Sequence, residues 1–485
     1  MRLAELFPQV DGASPDCEVT GISADSRDIL PGFVFFAIPG TKADGFFYAD
    51  EAIKRGAIAI VAEREPEIPF ETAVFIIVSD VRRALSVASA QIFPGQPETI
   101  VAITGTSGKT SVAAFVRQIW VELGHAAASL GTIGVVAPSG AIYGSLTTPD
   151  PVNLHKTLDG LAGQGVTHLA VEASSHGIAQ RRLDGVRLTA AAFTNLSRDH
   201  LDYHADLDDY LSAKLRLFDT LLPRGRFVVV DADSDVSAKV AEICKIHNHS
   251  ILSVGSRGEA LQLLSAEPDD FATRLQIRYE NKTHSLRLPL AGDFQVANAL
   301  VAAGLCLATG GAAEAVFAAL ERLEGAPGRL ELVARHKGAS IFIDYAHKPD
   351  ALDKVLRTLR PSTLRRLIVV FGCGGDRDTG KRPIMGELAA RLADLVIVTD
   401  DNPRSEEPAS IRKAILAGAY CAGGPHPVEI DDRAKAIAEA VAGLKAGDVL
   451  LIAGKGHETG QIVGNSTLPF SDHETVRAAL KDCAA

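Results

Sequence analysis

Ile100–Thr110 reads IVAITGTSGKT and runs directly into Ser111–Leu123, SVAAFVRQIWVEL. The apolar IVAI run reads as a buried strand and the second segment as a helix. Between them, Gly105, Thr106, Ser107, Gly108, Lys109, Thr110 and Ser111 form a loop of small residues around one lysine. Small residues let backbone N–H groups turn inward around phosphate oxygens, and the helix N-terminus adds partial positive charge. Lys109 can reach terminal phosphates, and the Thr110 hydroxyl can ligate Mg2+. The competing reading is a glycine-rich turn with an incidental lysine, and the strand–loop–helix context argues against it. Ile103 stands where the longer phosphate-loop pattern asks for glycine, so this is the shorter GTxGK[ST] form.

Short apolar runs alternate with helix-like stretches along most of the chain, the pattern of α/β domains with parallel sheets. PGQPET (94–99) and GAPGR (325–329) read as linkers, which divides the 485 residues into three units. The third unit has the strands SIFIDYAH, RLIVVFG, DLVIVTD and VLLIAG, with helices near 349–360, 383–393, 408–419 and 431–443. Polar residues follow the carboxyl ends of these strands, where open α/β sheets place their ligand crevices.

Composition narrows the function. Apolar residues make up 47% and charged ones 22%, which excludes a disordered chain. Lys plus Arg is 49 against 60 acids, net −11, which argues against a general nucleic-acid backbone binder. No stretch of about 18 or more uncharged apolar residues appears, as a membrane span would need, and MRLAELFPQVDGASPDC does not read as a secretory signal. The six cysteines form no CxxC pair, so neither a disulfide framework nor a zinc site is expected. The expectation is a cytoplasmic, catalytic protein that binds neither nucleic acid nor membrane.

A second cluster lies at two further strand ends. Glu172 closes THLAVE, and Ser197-Arg-Asp-His-Leu-Asp-Tyr-His204 follows TAAAFTNL. Carboxylate and imidazole there could hold a magnesium ion that also touches nucleotide phosphate. His200 is the better ligand candidate; His204 is equally well read as structural. Leu207, Leu211, Lys214 and Phe218 share one helical face. Lys214 is either a snorkelling side chain or a desolvated amine able to take up carbon dioxide as a carbamate, and periodicity alone favours the former. Gly372-Cys-Gly-Gly375 follows a strand, but Arg377 stands in place of the last glycine of GxGxxG, so a nicotinamide site is weakly supported.

GTSGKT (105–110), TTPDP (147–151), EASSHG (172–177), TNLSRDHLDYH (194–204), YLSAK (210–214), GDFQVANAL (292–300), PGRLE (327–331) and DYAHKPDAL (344–352) occur in that order. Together they resemble the ATP-dependent Mur ligases of peptidoglycan synthesis. SADSR (23–27), GTKADG (40–45), GCGGDRDTGKRP (372–383), DNPR (401–404) and GKGHE (454–458) resemble the subgroup that adds a diamino acid to UDP-N-acetylmuramoyl-L-alanyl-D-glutamate. The resemblance implies an α/β fold of three domains: a UDP-substrate domain (1–94), a central P-loop ATPase-type parallel sheet (95–327) and a Rossmann-like domain (328–485) that binds the incoming amino acid. It assigns Ser26, Thr41, Lys42 and Ala43 to the uridine nucleotide, and Thr147, Thr148, Ser174, Gln180 and Arg182 to the muramoyl-dipeptide. It makes Lys109, Glu172, His200 and Lys214 catalytic, with magnesium held by Thr110, Glu172, His200 and a carbamylated Lys214, which reverses the reading of that lysine. Asn298, Arg329, Asp344 and His347 would complete the ATP site. Arg377, Asp401, Asn402, Pro403, Arg404, Gly454 and Glu458 would hold meso-diaminopimelate. Lys348 departs from the threonine often found at that place in the family, which leaves position 348 without an assigned role.

The chemistry implied is phosphorylation of a carboxylate by ATP, attack of an amine on the acyl phosphate, and release of ADP and phosphate. Pro403 fixes its own φ and restricts Asn402, so the turn is expected to present Arg404 to a carboxylate. A monomer acting on ATP, the UDP-precursor and the amino acid is expected. The alternatives are L-lysine as acceptor, a folylpolyglutamate synthetase, or a P-loop switch. For a guanine switch the nearest NKxD string, Asn281-Lys-Thr-His284, ends in the wrong residue.

Overall fold

The computed structural model describes residues 1–8, 17–40, 44–66, 72–144, 146–197 and 203–483. They form two compact units, Met1–Gln262 with Leu300–Val316, and Leu263–Ala299 with Phe317–Ala485.

In the first unit, β1 (Gly21–Ser23), β2 (Phe33–Phe36), β3 (Ala59–Ala62) and β4 (Val74–Ile77) make an all-parallel sheet in the order 1-2-3-4. Val34, Phe36, Val61 and Ile76 pack one face with Leu85 and Ala88 of the helix Val81–Ile92. A larger sheet follows, built from β5 (Thr99–Thr104), β6 (Ala127–Gly131), β7 (Gly134–Ala137), β8 (Gly140–Ile142), β9 (His168–Glu172), β10 (Ala190–Phe193), β11 (Phe227–Asp231) and β12 (Ser250–Gly255). Strand β5 lies between β10 and β9, all parallel, and Ile103 pairs with both Ala192 and Glu172. Strands buried on both faces read as unbroken apolar runs, which is why IVAI carries so clear a signal. The register brings the carboxyl end of β9 beside that of β5.

The helix Lys109–Glu122 buries Val112, Phe115, Val116, Ile119 and Trp120. Each contributes about 1.5–3 kcal/mol by leaving water, which holds the phosphate loop to the sheet. Gly108 opens the helix at φ +88°. Gly124 ends it at φ +85°, with the His125 N–H donating to the Trp120 carbonyl. That reversal needs a left-handed residue, and glycine takes it at least cost.

In the second unit, β13 (Leu261–Asp269) leads into the antiparallel hairpin of β14 (Ala272–Tyr279) and β15 (Lys282–Leu288). Its two-residue turn is Glu280–Asn281 at φ 46° and 61°, the left-handed pair that matches strand twist. Asn281-Lys-Thr-His284 is therefore a hairpin turn and the start of its second strand. The third sheet comprises β16 (Glu331–His336), β17 (Ala339–Asp344), β18 (Leu367–Phe371), β19 (Leu395–Val398), β20 (Val428–Glu429) and β21 (Val449–Ala453), in the order 16-17-21-18-19-20. All but β16 run parallel. The helices Pro349–Leu359, Lys381–Leu392, Pro408–Cys421 and Arg433–Ala442 lie within one or two residues of the expected spans. A hairpin, β22 (Gly460–Val463) with β23 (Ser466–Pro469), follows. No helix among the described residues is long and apolar enough to cross a membrane.

Candidate active site

At the end of β5 the chain turns through Gly105 at φ +142°, where a Cβ would lie 2.0 Å from Thr194 Oγ1. Only glycine fits. The loop is buttressed from the segment after β10: Thr194 Oγ1 donates to the Ser107 carbonyl (2.7 Å), and Asn195 Oδ1 accepts from the Ser107 N–H (3.0 Å). Lys109 is half-buried, and its Nζ donates to the carbonyls of Gly105 (2.8 Å) and Thr106 (2.9 Å). It is thus curled over its own loop.

Glu172 is the hub beside this loop and is buried. Its Oε2 accepts from Thr110 Oγ1 (3.0 Å) and Thr132 Oγ1 (3.1 Å), and its Oε1 accepts from the Thr132 N–H (2.8 Å). Gly131 makes room, because a Cβ there would fall 1.9 Å from Glu172 Oε1. Thr147 Oγ1 shares a 3.0 Å hydrogen bond with Thr132 Oγ1, and Thr148 Oγ1 donates to the Glu172 carbonyl (2.8 Å). Ser174 Oγ lies 3.1 Å from Thr148 Oγ1 and caps the helix Ser175–Ala179 through the Gly177 N–H. Arg182 donates to the Thr148 carbonyl and to Gln180 Oε1 (2.7 Å), and burial lowers its pKa. Thr147, Thr148, Ser174, Gln180 and Arg182 therefore form one connected rim leading to Glu172.

Lys214 projects from the helix Leu207–Arg216 with its side chain 1% exposed. Its Nζ donates to the Gly105 carbonyl at 2.9 Å and stands 4.2 Å from the centre of the Tyr210 ring. A solvent-seeking lysine would point outward, whereas this one ends under the phosphate loop. His204, also buried, shares a 3.0 Å contact between Nδ1 and Asp209 Oδ2 and packs among His176, Tyr203 and Tyr210. That surrounding fits the structural reading. His200 and the Thr41, Lys42 and Ala43 loop lie outside the described residues. Ser26 is buried, with Oγ donating to Glu51 Oε2 at 3.3 Å.

In the second unit, Asp344 ends β17 and accepts from the Leu330 N–H (2.6 Å) and the Ala346 N–H (2.7 Å). Burial pushes its pKa up to about 6, against the opposing pull of Arg329. Arg329 lies 4.7 Å over the Tyr345 ring, and its carbonyl accepts from Gln295, which also accepts from Asn298 Nδ2 (3.3 Å). His347 is pushed down to about 4 by burial and so is neutral near pH 7. Asn298, Arg329, Asp344 and His347 are thus brought to one end of the third sheet.

Across the same edge, β21 pairs with β17 and β18, and β18 with β19, so 401–404 after β19 and 454–458 after β21 flank the carboxyl end of β18 and meet across it. Gly454 (φ +113°) leaves room for Asp401, whose Oδ2 would be 2.6 Å from a Cβ. Asn402 Nδ2 donates to Glu458 Oε2 at 3.0 Å. Arg404 is left-handed at φ 52°, its N–H donates to the Ile462 carbonyl, and its Nη1 donates to the Gly375 carbonyl (2.8 Å). Pro403 is buried between them, while Arg377 is exposed. Beneath the turn, Arg433 forms a fully buried ion pair with Asp472 (2.8 Å) and donates to the Ala453 carbonyl (3.0 Å).

Comparison with known proteins decides the family. Residues 18–115 match the Mur ligase family catalytic domain, 103–306 the Mur ligase middle domain, and 328–456 the Mur ligase glutamate ligase domain. The chain is 57% identical over 484 residues to a UDP-N-acetylmuramoyl-L-alanyl-D-glutamate--2,6-diaminopimelate ligase of Mesorhizobium japonicum, covering 100% of this chain and 99% of that one. It belongs to the Mur ligase family. The equivalent ligase of Bradyrhizobium diazoefficiens is 57% identical over 99% of both chains. A solved structure of a ligase with that same name superimposes with a TM-score of 0.74 at 32% identity, over 100% of this chain and 99% of the other.

Members of this family are ATP-dependent amide ligases with three α/β domains, and this Mur ligase is one. Four groups of this site escaped the sequence reading: Thr132, Asn195, Gln295 and Lys455. Thr132 and Asn195 look like ordinary loop residues, and their contacts come from chain segments 40 and 88 residues away. Lys455 lies inside GKGHE, and its complete burial is the signal that a motif reading cannot supply.

Proposed function

We propose that this ligase joins meso-diaminopimelate to UDP-N-acetylmuramoyl-L-alanyl-D-glutamate in the cytoplasm, acting as a monomer in cell-wall precursor synthesis. The observation that carries the acceptor is Arg404 held at the carboxyl edge of the third sheet by Gly375 and Ile462. A guanidinium fixed there suits the carboxylate at the far end of diaminopimelate, which L-lysine lacks. The proposed domain boundaries at 94/95 and 327/328 fall between strands of different sheets, β4 and β5 at the first and β15 and β16 at the second.

The glutamyl carboxylate of the precursor attacks the γ-phosphorus of ATP, forming an acyl phosphate and releasing ADP. The neutral amine of diaminopimelate then attacks the acyl carbon, and phosphate leaves as the amide forms. Lys109 exchanges its contacts with Gly105 and Thr106 for the phosphate oxygens on which charge develops. Arg329 adds positive charge, while Asn298, Asp344 and His347 border the nucleotide. Thr147, Thr148, Ser174, Gln180 and Arg182 orient the muramoyl-dipeptide, and Ser26 with Thr41, Lys42 and Ala43 holds the uridine nucleotide. Arg377, Asp401, Asn402, Pro403, Arg404, Gly454 and Glu458 receive the amino acid.

Oxygen donors suit magnesium, and the Thr110 hydroxyl with the Glu172 carboxylate supplies two of them. Among the described residues no three His, Cys, Asp or Glu side chains converge on an ion, so further donors are needed. His200, a Lys214 carbamate and ATP phosphates would be these. When bound, the ion offsets phosphate charge. Carbamate formation joins the Lys214 amine nitrogen to the carbon of carbon dioxide and releases one proton.

The test is direct. The protein is incubated with ATP, magnesium and the UDP-precursor, offering meso-diaminopimelate or L-lysine separately, and ADP and the amide are measured. Turnover with diaminopimelate alone supports the reading; equal use of both removes the acceptor assignment.

A further inference from the structure

The Lys455 ammonium is enclosed at 0% exposure, immediately after β21. A lysine charge is costly to bury unless its donors find matched acceptors. Here Nζ donates to Asn402 Oδ1 at 2.9 Å and to Glu458 Oε2 at 3.1 Å. Asn402 Oδ1 takes a second donor from the Ile462 N–H at 2.9 Å. Glu458 Oε2 takes its second from Asn402 Nδ2 at 3.0 Å. The three side chains close a triangle in which every contact has a defined sense.

Two donors on Oδ1 set which way the Asn402 amide faces, and the amide then presents its NH2 to Glu458. Two donors on Oε2 turn Glu458 so that Oε1 takes none of these bonds. The Glu458 side chain is 32% exposed, so it faces outward while Lys455 stays inside.

We infer that Lys455 is a positioning residue for the acceptor amino acid: it locks the Asn402–Glu458 pair so that the second oxygen of Glu458 meets the acceptor's ammonium group. The inference rests on the proposed assignment of 401–404 and 454–458 to diaminopimelate. Lys455 touches no substrate itself.

The test measures KM for each of the three substrates separately, using the full chain. Lys455→Met should raise KM for diaminopimelate about tenfold, the value of one misdirected charge-assisted hydrogen bond. KM for ATP and for the UDP-precursor should stay within about twofold of the parent, below the tenfold expected from losing one such bond. In a Glu458→Gln background, Lys455→Met should change KM for diaminopimelate little further, because Lys455 acts through Glu458. Lys455→Gln keeps a donor for Asn402 Oδ1, protects folding, and should show the same selective rise. Arg404→Ala separates the two ideas. If it raises KM for diaminopimelate and the Lys455 variants do not, the inference is wrong while the site assignment stands. If Arg404→Ala leaves that KM unchanged, the site assignment itself fails. Equal rises in all three KM values, or additive effects of Lys455→Met and Glu458→Gln, would mark Lys455 as scaffolding and overturn the inference.

Discussion

Thr110 Oγ1 donates to Glu172 Oε2 across 3.0 Å, joining the hydroxyl after the phosphate-loop lysine to the carboxylate that closes β9. The bond exists because β5 and β9 are parallel neighbours with Ile103 paired to Glu172. Both groups are buried, so removing the carboxylate would leave Thr110 and Thr132 hydroxyls without that acceptor. The site is therefore preorganised before any substrate arrives.

Lys109→Ala is expected to lower ATP-dependent amide formation at least about a hundredfold, because no other described group in the loop can follow the transferred charge. Lys109 is half-buried and bonded to two loop carbonyls. Those carbonyls can be hydrated once the side chain is gone, so the melting temperature should fall by only a few degrees, about 1 kcal/mol. Near-normal ADP release by a folded variant would remove Lys109 from the chemistry.

Lys214→Ala is expected to lose most activity and to regain part of it with added acetate or formate, which can stand in for a carbamate. Lys214 is buried and ends beneath the phosphate loop, with Nζ on the Gly105 carbonyl, which is where a carbamate would have to stand to serve a magnesium ion at the loop. Mass spectrometry under native conditions in bicarbonate should find the parent heavier by one carbon dioxide, and the variant not. A variant with full activity and no response to short acids would refute the carbamate.

The phosphate loop, the helices of the third unit and the carboxyl-edge motifs were legible because each depends on local pattern or on a short motif. Less legible were the hairpins. The β14–β15 hairpin alternates buried and exposed residues, and its Glu280–Asn281 turn lacks the glycine that usually announces such a reversal. Contacts such as Asn195 with Ser107, or Lys455 with Asn402, depend on strand order, which periodicity does not encode. Arg404 was expected to be held rigid by Pro403. Its anchoring comes equally from β22, through Ile462, and from Gly375.

His155 offers a stability prediction remote from the chemistry. It is fully buried in the helix Pro151–Gly163, neither ring nitrogen has a hydrogen-bond partner, and burial pushes its pKa down to about 4. A depressed histidine pKa means that the unfolded chain binds the proton more readily, so stability is full above about pH 6.5 and drains as pH falls toward 4. At pH 5 the loss from this one group is about 2 kcal/mol. His155→Leu removes it. Urea unfolding at pH 7 and pH 5 should show the parent losing about 2 kcal/mol more than the variant between the two conditions. Parallel losses in both proteins would contradict the assignment.

Arg404→Ala tests how the acceptor is chosen. The Arg404 N–H donates to the Ile462 carbonyl and its own carbonyl accepts from the Gly464 N–H, so the backbone is clamped at φ 52° by the hairpin of β22 and β23. Both recorded guanidinium bonds, to the carbonyls of Gly375 and Asn402, use Nη1. The remaining edge suits a carboxylate approaching in the plane of the group. Diaminopimelate brings one; L-lysine ends in an ammonium and brings like charge to a positive partner. Leaving the guanidinium without its partner in a desolvated pocket costs on the order of 2–5 kcal/mol, so the parent should prefer diaminopimelate by roughly 30-fold or more in kcat/KM. Arg404→Ala should lower kcat/KM for diaminopimelate by a similar factor and leave that for L-lysine within about threefold, since lysine never engaged the group. The discriminating quantity is the ratio of the two, measured at fixed saturating ATP and UDP-precursor. A variant that loses both activities in proportion would mean that Arg404 supports the turn without selecting the acceptor.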